Sequence, residues 1–201
     1  MSDAATQKLE IIGTIKDGVG IGIKNIGPII VNVILWILTC WIPYLNVGTT
    51  IGLCVGIITK ASRGEVISMT EIFDKKYRKY MGEFFLTSGL VGMGAGVGFC
   101  FFIIPGIVIG LAWSLAVLLV IDKGKNPTEA ITISNLCTYG NKWRMFGIIF
   151  LPAIAISIVI GIVYLIPVIG IILVIALYLF LMFVLIGVEA SIYRQLTAHI
   201  N

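Results

Sequence analysis

Three long stretches without a single charge decide what this chain can fold into. They cover residues 25–59, 84–121 and 145–188, run 35, 38 and 44 residues, and hold no Asp, Glu, Lys, Arg or His. About 20 apolar residues already cross the hydrocarbon core of a bilayer as a helix. Each block is therefore too long for one spanning helix and the right length for two. Pro43, Pro105 and Pro167 fall near the middle of the blocks. Proline removes a helical donor and biases the residue before it away from helical geometry, so these positions mark turns. The expected fold is an all-α integral membrane protein: six transmembrane helices arranged as three Pro-turn hairpins, with amphipathic helices on the cytoplasmic surface.

Composition agrees. Apolar residues make up 59% of the chain and charged residues 12%, about half the charge of an ordinary soluble domain. The polar opening Met-Ser-Asp-Ala-Ala-Thr-Gln-Lys lacks the basic start and apolar run of a cleaved signal peptide, so the first hairpin is expected to direct its own insertion. Cys40, Cys54, Cys100 and Cys137 show no paired spacing. They read as small packing residues rather than a disulfide framework or a metal site. No cofactor is expected.

The fourteen Lys and Arg and ten Asp and Glu all lie outside the blocks, on one side of the inferred topology. Their cationic excess marks that side as cytoplasmic, with both termini inside. The turns at Trp41-Ile-Pro-Tyr-Leu, Ile104-Pro-Gly-Ile and Ile166-Pro-Val-Ile carry no charge and are assigned to the opposite side. The three prolines recur at a spacing of 62 residues, each preceded by isoleucine and followed within five residues by Gly48, Gly106 or Gly170. Such a period suggests a pseudo-threefold repeat within a single membrane domain, with units of about 1–61, 62–123 and 124–201.

Two connecting segments carry a capping-box pattern, Ser68-Met-Thr-Glu71 and Asn126-Pro-Thr-Glu129, and Pro127 suits a first helical position. After the first cap, Ile72, Phe73, Tyr77, Tyr80, Met81 and Phe84 recur at helical spacing among Lys75, Lys76, Arg78 and Lys79. That pattern predicts a helix lying along the interface, with its cations on anionic lipid.

Three further patterns bear on function. Gly48, Gly52 and Gly56 repeat every four residues, and Gly92, Gly94, Gly96 and Gly98 form two overlapping GxxxG patterns. Bare backbone on one helix face permits close approach of a neighbour. The approach could be packing within one bundle, a self-association seam, or a gating bend helped by Pro105. Asn25, Asn32 and Thr39 share one helix face, fit either for interhelical hydrogen bonds or for a narrow uncharged pore. Glu189, at the inner end of the last span, reads as an interfacial partner of Arg194 or a basic loop, with a proton or cation relay as the alternative. His199 reads as a solvated tail residue. From Val47 to Ala61 is 15 residues, about 22 Å of helix against a hydrocarbon core of roughly 30 Å. That shortfall implies a sunken turn or a thinned bilayer.

No histidine cluster, paired intramembrane acids, P-loop or nucleophile elbow is present. Gly18, Gly20 and Gly22 superficially match a nucleotide loop but follow no strand. Catalysis is not expected, and nothing indicates nucleic acid.

The stretch Phe101-Phe-Ile-Ile-Pro-Gly-Ile-Val-Ile-Gly-Leu-Ala-Trp-Ser-Leu-Ala-Val, then Asp122, then Asn126-Pro-Thr-Glu-Ala-Ile-Thr-Ile-Ser, resembles the multi-spanning domain fused to some bacterial glycerophosphodiester phosphodiesterases and related inner-membrane proteins. The resemblance is clearest over residues 100 to 150. It implies a bacterial inner-membrane location. It carries no phosphodiesterase activity, because the soluble catalytic domain is not in this sequence. The leading expectation is a non-enzymatic module that organises membrane or partner proteins, as a homo-oligomer or a subunit of a complex. The alternative is a small oligomeric channel or transporter, with Asn25, Asn32 and Thr39 lining it and the Gly-rich helix gating it.

Overall fold

A computed structural model describes residues 8–166 and 169–200, and every regular element among them is helical. In chain order the helices are α1 (Ile11–Lys24), α2 (Ile26–Thr39), α3 (Pro43–Ser62), α4 (Met81–Phe101), α5 (Ile103–Lys123), α6 (Pro127–Thr138), α7 (Lys142–Val163) and α8 (Ile169–Thr197). Five of them, α3, α4, α5, α7 and α8, are long and apolar enough to cross a membrane. A sixth candidate is the pair α1 and α2, which meet at Asn25 with a bend of 67°.

Local chemistry explains the boundaries. Pro43 opens α3 at its first turn, after an extended Ile42, a position where the missing donor costs nothing. Phe102 is extended and separates α4 from α5. Pro105 then falls in the first turn of α5, whose amides lack intrahelical partners in any case. Pro167 lies outside the described residues. The Asn126 side chain accepts from the Thr128 amide and Pro127 takes the first helical position of α6, as its sequence pattern predicts. Gly124, left-handed at φ 61°, ends α5, a conformation that glycine adopts without steric cost.

Three expectations are corrected. The second apolar segment is not short: α3 runs unbroken for 20 residues, about 30 Å, because Pro43 starts a helix that continues through a π-helical stretch at Gly52–Gly56. No shortfall of length remains, and no sunken turn or thinned bilayer is needed to accommodate it. The interfacial helix expected after Ser68 is not continuous. It is a 3-10 turn at Glu71–Phe73, a single turn at Lys76–Lys79, and then α4. The Ser68–Glu71 pattern does not cap it, because the Glu71 carboxylate is turned inward.

Burial divides the molecule in two. A dense core gathers α3, the start of α6, the C-terminal half of α8 and the second half of α5, with Val55, Ile57, Leu119, Ala130, Val188 and Tyr193 almost fully enclosed. α1 closes this core by crossing α8 at glycines. A Cβ at Gly18 would lie 2.6 Å from the Val188 backbone, and Gly187 sits directly on Gly18 and Gly22. These glycines are packing surfaces, and helix rather than loop. Thr14 and Asp17 meet Gln195, Ser191 and Arg194 along the same crossing. Outside the core, the paired helices α4 and α5 and the paired helices α7 and α8 extend as apolar arms. Met93, Phe101, Ile103, Ile162 and Ile172 are all exposed there, which in a bilayer means facing lipid or another chain.

Candidate functional site

The glycine ladder of α3 is filled by the short helical turns of the connection to α4 rather than by a spanning helix. Gly52 packs on the Ile72 backbone, Gly56 on the Tyr77 ring and Gly48 on the aliphatic stem of Arg78. A Cβ at Gly52 would stand 2.7 Å from the Ile72 Cα, so only glycine admits the segment this closely. Tyr77 is 1% exposed, and its hydroxyl donates to Glu71 Oε1 at 2.6 Å. Lys60 donates to Glu71 Oε2 at 2.8 Å and Lys76 reaches Oε1 at 3.4 Å. Burial pushes the Glu71 carboxyl up. The bonds from Lys60 and Tyr77, with the charges of Lys60 and Lys76, outweigh it and hold the carboxyl below the usual range. Burial first, and then the Glu71 carboxylate, push the Tyr77 phenol well above its ordinary value. The cluster is a closed polar anchor, with each charge answered.

Asn32 belongs to the same anchor. Its amide donates to the Pro28 and Ser68 carbonyls, each at 2.8 Å, and its oxygen accepts from the Ile72 amide at 3.1 Å. It thereby ties α2 to the segment that fills α3. Thr39 returns its hydroxyl to the Leu35 carbonyl at 2.8 Å, and Asn25 its amide to Ile21 at 2.9 Å. Each of the three residues predicted to share a stripe therefore donates to a backbone carbonyl, and only Asn32 is fully buried.

Of the four cations at 75–79, Lys76 is committed to Glu71 and Asp74. Lys75, Arg78 and Lys79 have no ion-pair partner among the described residues. The Arg78 guanidinium lies over the Tyr44 ring at 5.6 Å. Arg194 pairs with Asp17, not with Glu189 as expected, because the α1 crossing brings Asp17 to the same turn of α8. His199 is exposed, with its ring nitrogen 4.0 Å from the Cys137 sulfur.

The two GxxxG patterns of α4 have different fates. Gly98 lies against the Gly106 backbone and Gly94 under the Trp113 ring, both inside the α4/α5 pair. Gly92 and Gly96 are exposed, and a side chain on either would meet nothing. Around Gly94, Leu90, Met93, Val97, Trp113 and Ile131 line an open apolar groove of about 480 Å³.

Sequence reasoning missed the Glu71 anchor and the α1/α8 crossing. The second had a visible signal in the four-residue spacing of Gly18 and Gly22. Among the described residues no three His, Cys, Asp or Glu side chains gather where they could hold a metal ion. Comparison with protein-family models, curated proteins and solved structures finds no match to this chain.

Proposed function

We propose that this protein is a non-enzymatic, self-associating module of a bacterial inner membrane that organises lipid and partner proteins, with its charged face cytoplasmic. The observation that carries this reading is the bare Gly92/Gly96 face on an arm helix with only 11% of its apolar window buried. Small residues four apart on a lipid-facing helix permit a second helix to approach to backbone contact, where packing and Cα–H contacts replace weaker packing against lipid. The resemblance over residues 100 to 150 and the excess of Lys and Arg outside the apolar blocks support the location. We prefer this reading to a channel because Asn25, Asn32 and Thr39 have their hydrogen bonds answered within the chain.

The test is the native mass of the protein in lipid nanodiscs. The expected result is a discrete oligomer that the Gly92→Leu/Gly96→Leu double variant converts to monomer. A wild-type monomer, or an oligomer that the double variant leaves intact, overturns the reading. Solute leak through reconstituted vesicles that changes with Asn32→Ala would instead restore the channel.

A further inference from the structure

The unpaired cations at 75–79 and the uncharged Trp41–Tyr44 turn, assigned by sequence to opposite sides of the membrane, are neighbours. Arg78 lays its stem on Gly48 and its guanidinium over Tyr44. α4 begins only three residues later, at Met81. α4 and α5 form an antiparallel pair, with Gly98 against Gly106 and Gly94 against Trp113. The open end of that pair is marked by Tyr80 and Gly124, where the Tyr80 hydroxyl stands 3.6 Å from the place a Cβ on Gly124 would take. The first turns of α3 thus meet this open end through Arg78. The far end of α3 meets it as well, because Arg63, the residue that follows its last turn, pairs with Asp122 near the end of α5. A helix about 30 Å long with both ends at one end of another helix pair lies across that pair, not beside it.

Burial agrees with this arrangement. The most apolar window of α3 is 61% buried inside the protein, against 11% for α4 and α7. Asn32, in the middle of α2, is bonded to Ser68 and Ile72 of the charged connection. The first apolar block is therefore folded against the charged side.

We infer that residues 26–62 form a re-entrant cap, and that its Trp41–Tyr44 turn joins Lys75, Arg78 and Lys79 in one surface that docks on anionic phospholipid headgroups of the cytoplasmic leaflet. Trp41 is 85% exposed and Tyr44 73%. Their amphipathic rings suit the headgroup layer, and Arg78 over Tyr44 leaves its remaining donors free for phosphate. The three cations supply the complementary charge, each contributing on the order of fivefold to binding at an anionic surface. The inference rests on the chain being membrane-embedded with the charged face cytoplasmic, as proposed above, but not on self-association.

The experiment uses the full chain, with its four native cysteines replaced by serine, in sealed vesicles of phosphatidylcholine and phosphatidylglycerol. Single Trp41→Cys, Lys79→Cys and Ile104→Cys variants, all at exposed positions, are labelled with a membrane-impermeant maleimide from one side. The expected result is that positions 41 and 79 react from the same side and position 104 from the other. Labelling of position 41 together with 104 overturns the cap. Phosphatidylglycerol retained by the purified protein is then measured by native mass spectrometry. Loss on the order of a hundredfold, the product of three fivefold contributions, is expected for Lys75→Gln/Arg78→Gln/Lys79→Gln, and a smaller loss for Tyr44→Ala. Retention equal to the wild type in both overturns the headgroup surface. Lost retention with an intact oligomer leaves the proposed self-association standing. An intact surface on a monomer leaves this inference standing alone.

Discussion

Helices α3 and α4 are 20 and 21 residues long, both are apolar enough to cross a bilayer, and both carry glycines at four-residue spacing. Their surroundings are opposite. The glycines of α3 are filled by Ile72, Tyr77 and Arg78, whereas Gly92 and Gly96 of α4 face open space. A GxxxG pattern therefore states only that something can come close. In α3 the close neighbour is an irregular, charged segment pinned by Glu71. In α4 nothing among the described residues fills the face of Gly92 and Gly96. Spacing alone does not distinguish a completed interface from an unfilled one.

If this contrast is right, substitutions should rank by what fills the groove. Glu71→Ala should cost most, about 3 kcal/mol in equilibrium unfolding in mild detergent. That is the low end for breaking a buried pair, because Lys76 remains partly solvated. The same residue gives the contrast a pH signature. Its carboxyl is held below the usual range, so its stabilisation is complete at neutral pH and is lost as the pH falls below the ordinary glutamate value of about 4.3. The unfolding midpoint of the wild type should drop there, and Glu71→Ala should flatten part of that acid limb. A midpoint that rises on acidification would break the account of the anchor.

Gly56→Ala should come next, at about 2 kcal/mol, because its Cβ would enter the space of the Tyr77 ring, which is enclosed and cannot move aside. Gly94→Ala should cost less, about 1 kcal/mol. It collides with Trp113, but that ring borders the open groove and has room to tilt. Gly92→Ala should be the smallest, within about 0.5 kcal/mol. If unfolding experiments found Gly92→Ala as costly as Gly56→Ala, the division into filled and vacant glycine faces would fail.

How much of this could be read from sequence follows the range of the interactions. The helical class and the cap at Asn126 with Pro127 behind it are properties of a few adjacent residues, and they read correctly. Pro43, by contrast, read as a turn and instead opens α3. The spacing of Gly48, Gly52 and Gly56 was visible as well, but what fills it was not. Tyr77 and Ile72 lie in a connection whose aromatic and cationic alternation resembles an interfacial helix. They are diverted inward because Gly52 and Gly56 admit an aromatic ring and Glu71 can be satisfied there by Lys60. Glu71 looked like a capping residue for the same reason: a local motif and a distant pair of partners competed for one carboxylate, and the distant pair won. For Arg194 the outcome was set by α1, whose glycines bring Asp17 within reach.

The crossing of α1 on α8 has a consequence for how the protein is made. Its polar contacts join residues 174 and 177 positions apart in the chain, and its glycines meet backbone to backbone. α1 thus leaves the ribosome well before α7, which its Ile11 touches at Gly147, and before α8, its main partner. Until α8 is made, the Gly18 and Gly22 face of α1 has no backbone to close on. The core therefore closes only after α8 is synthesised, and a ribosome stalled before α8 would leave the glycine face of α1 uncovered.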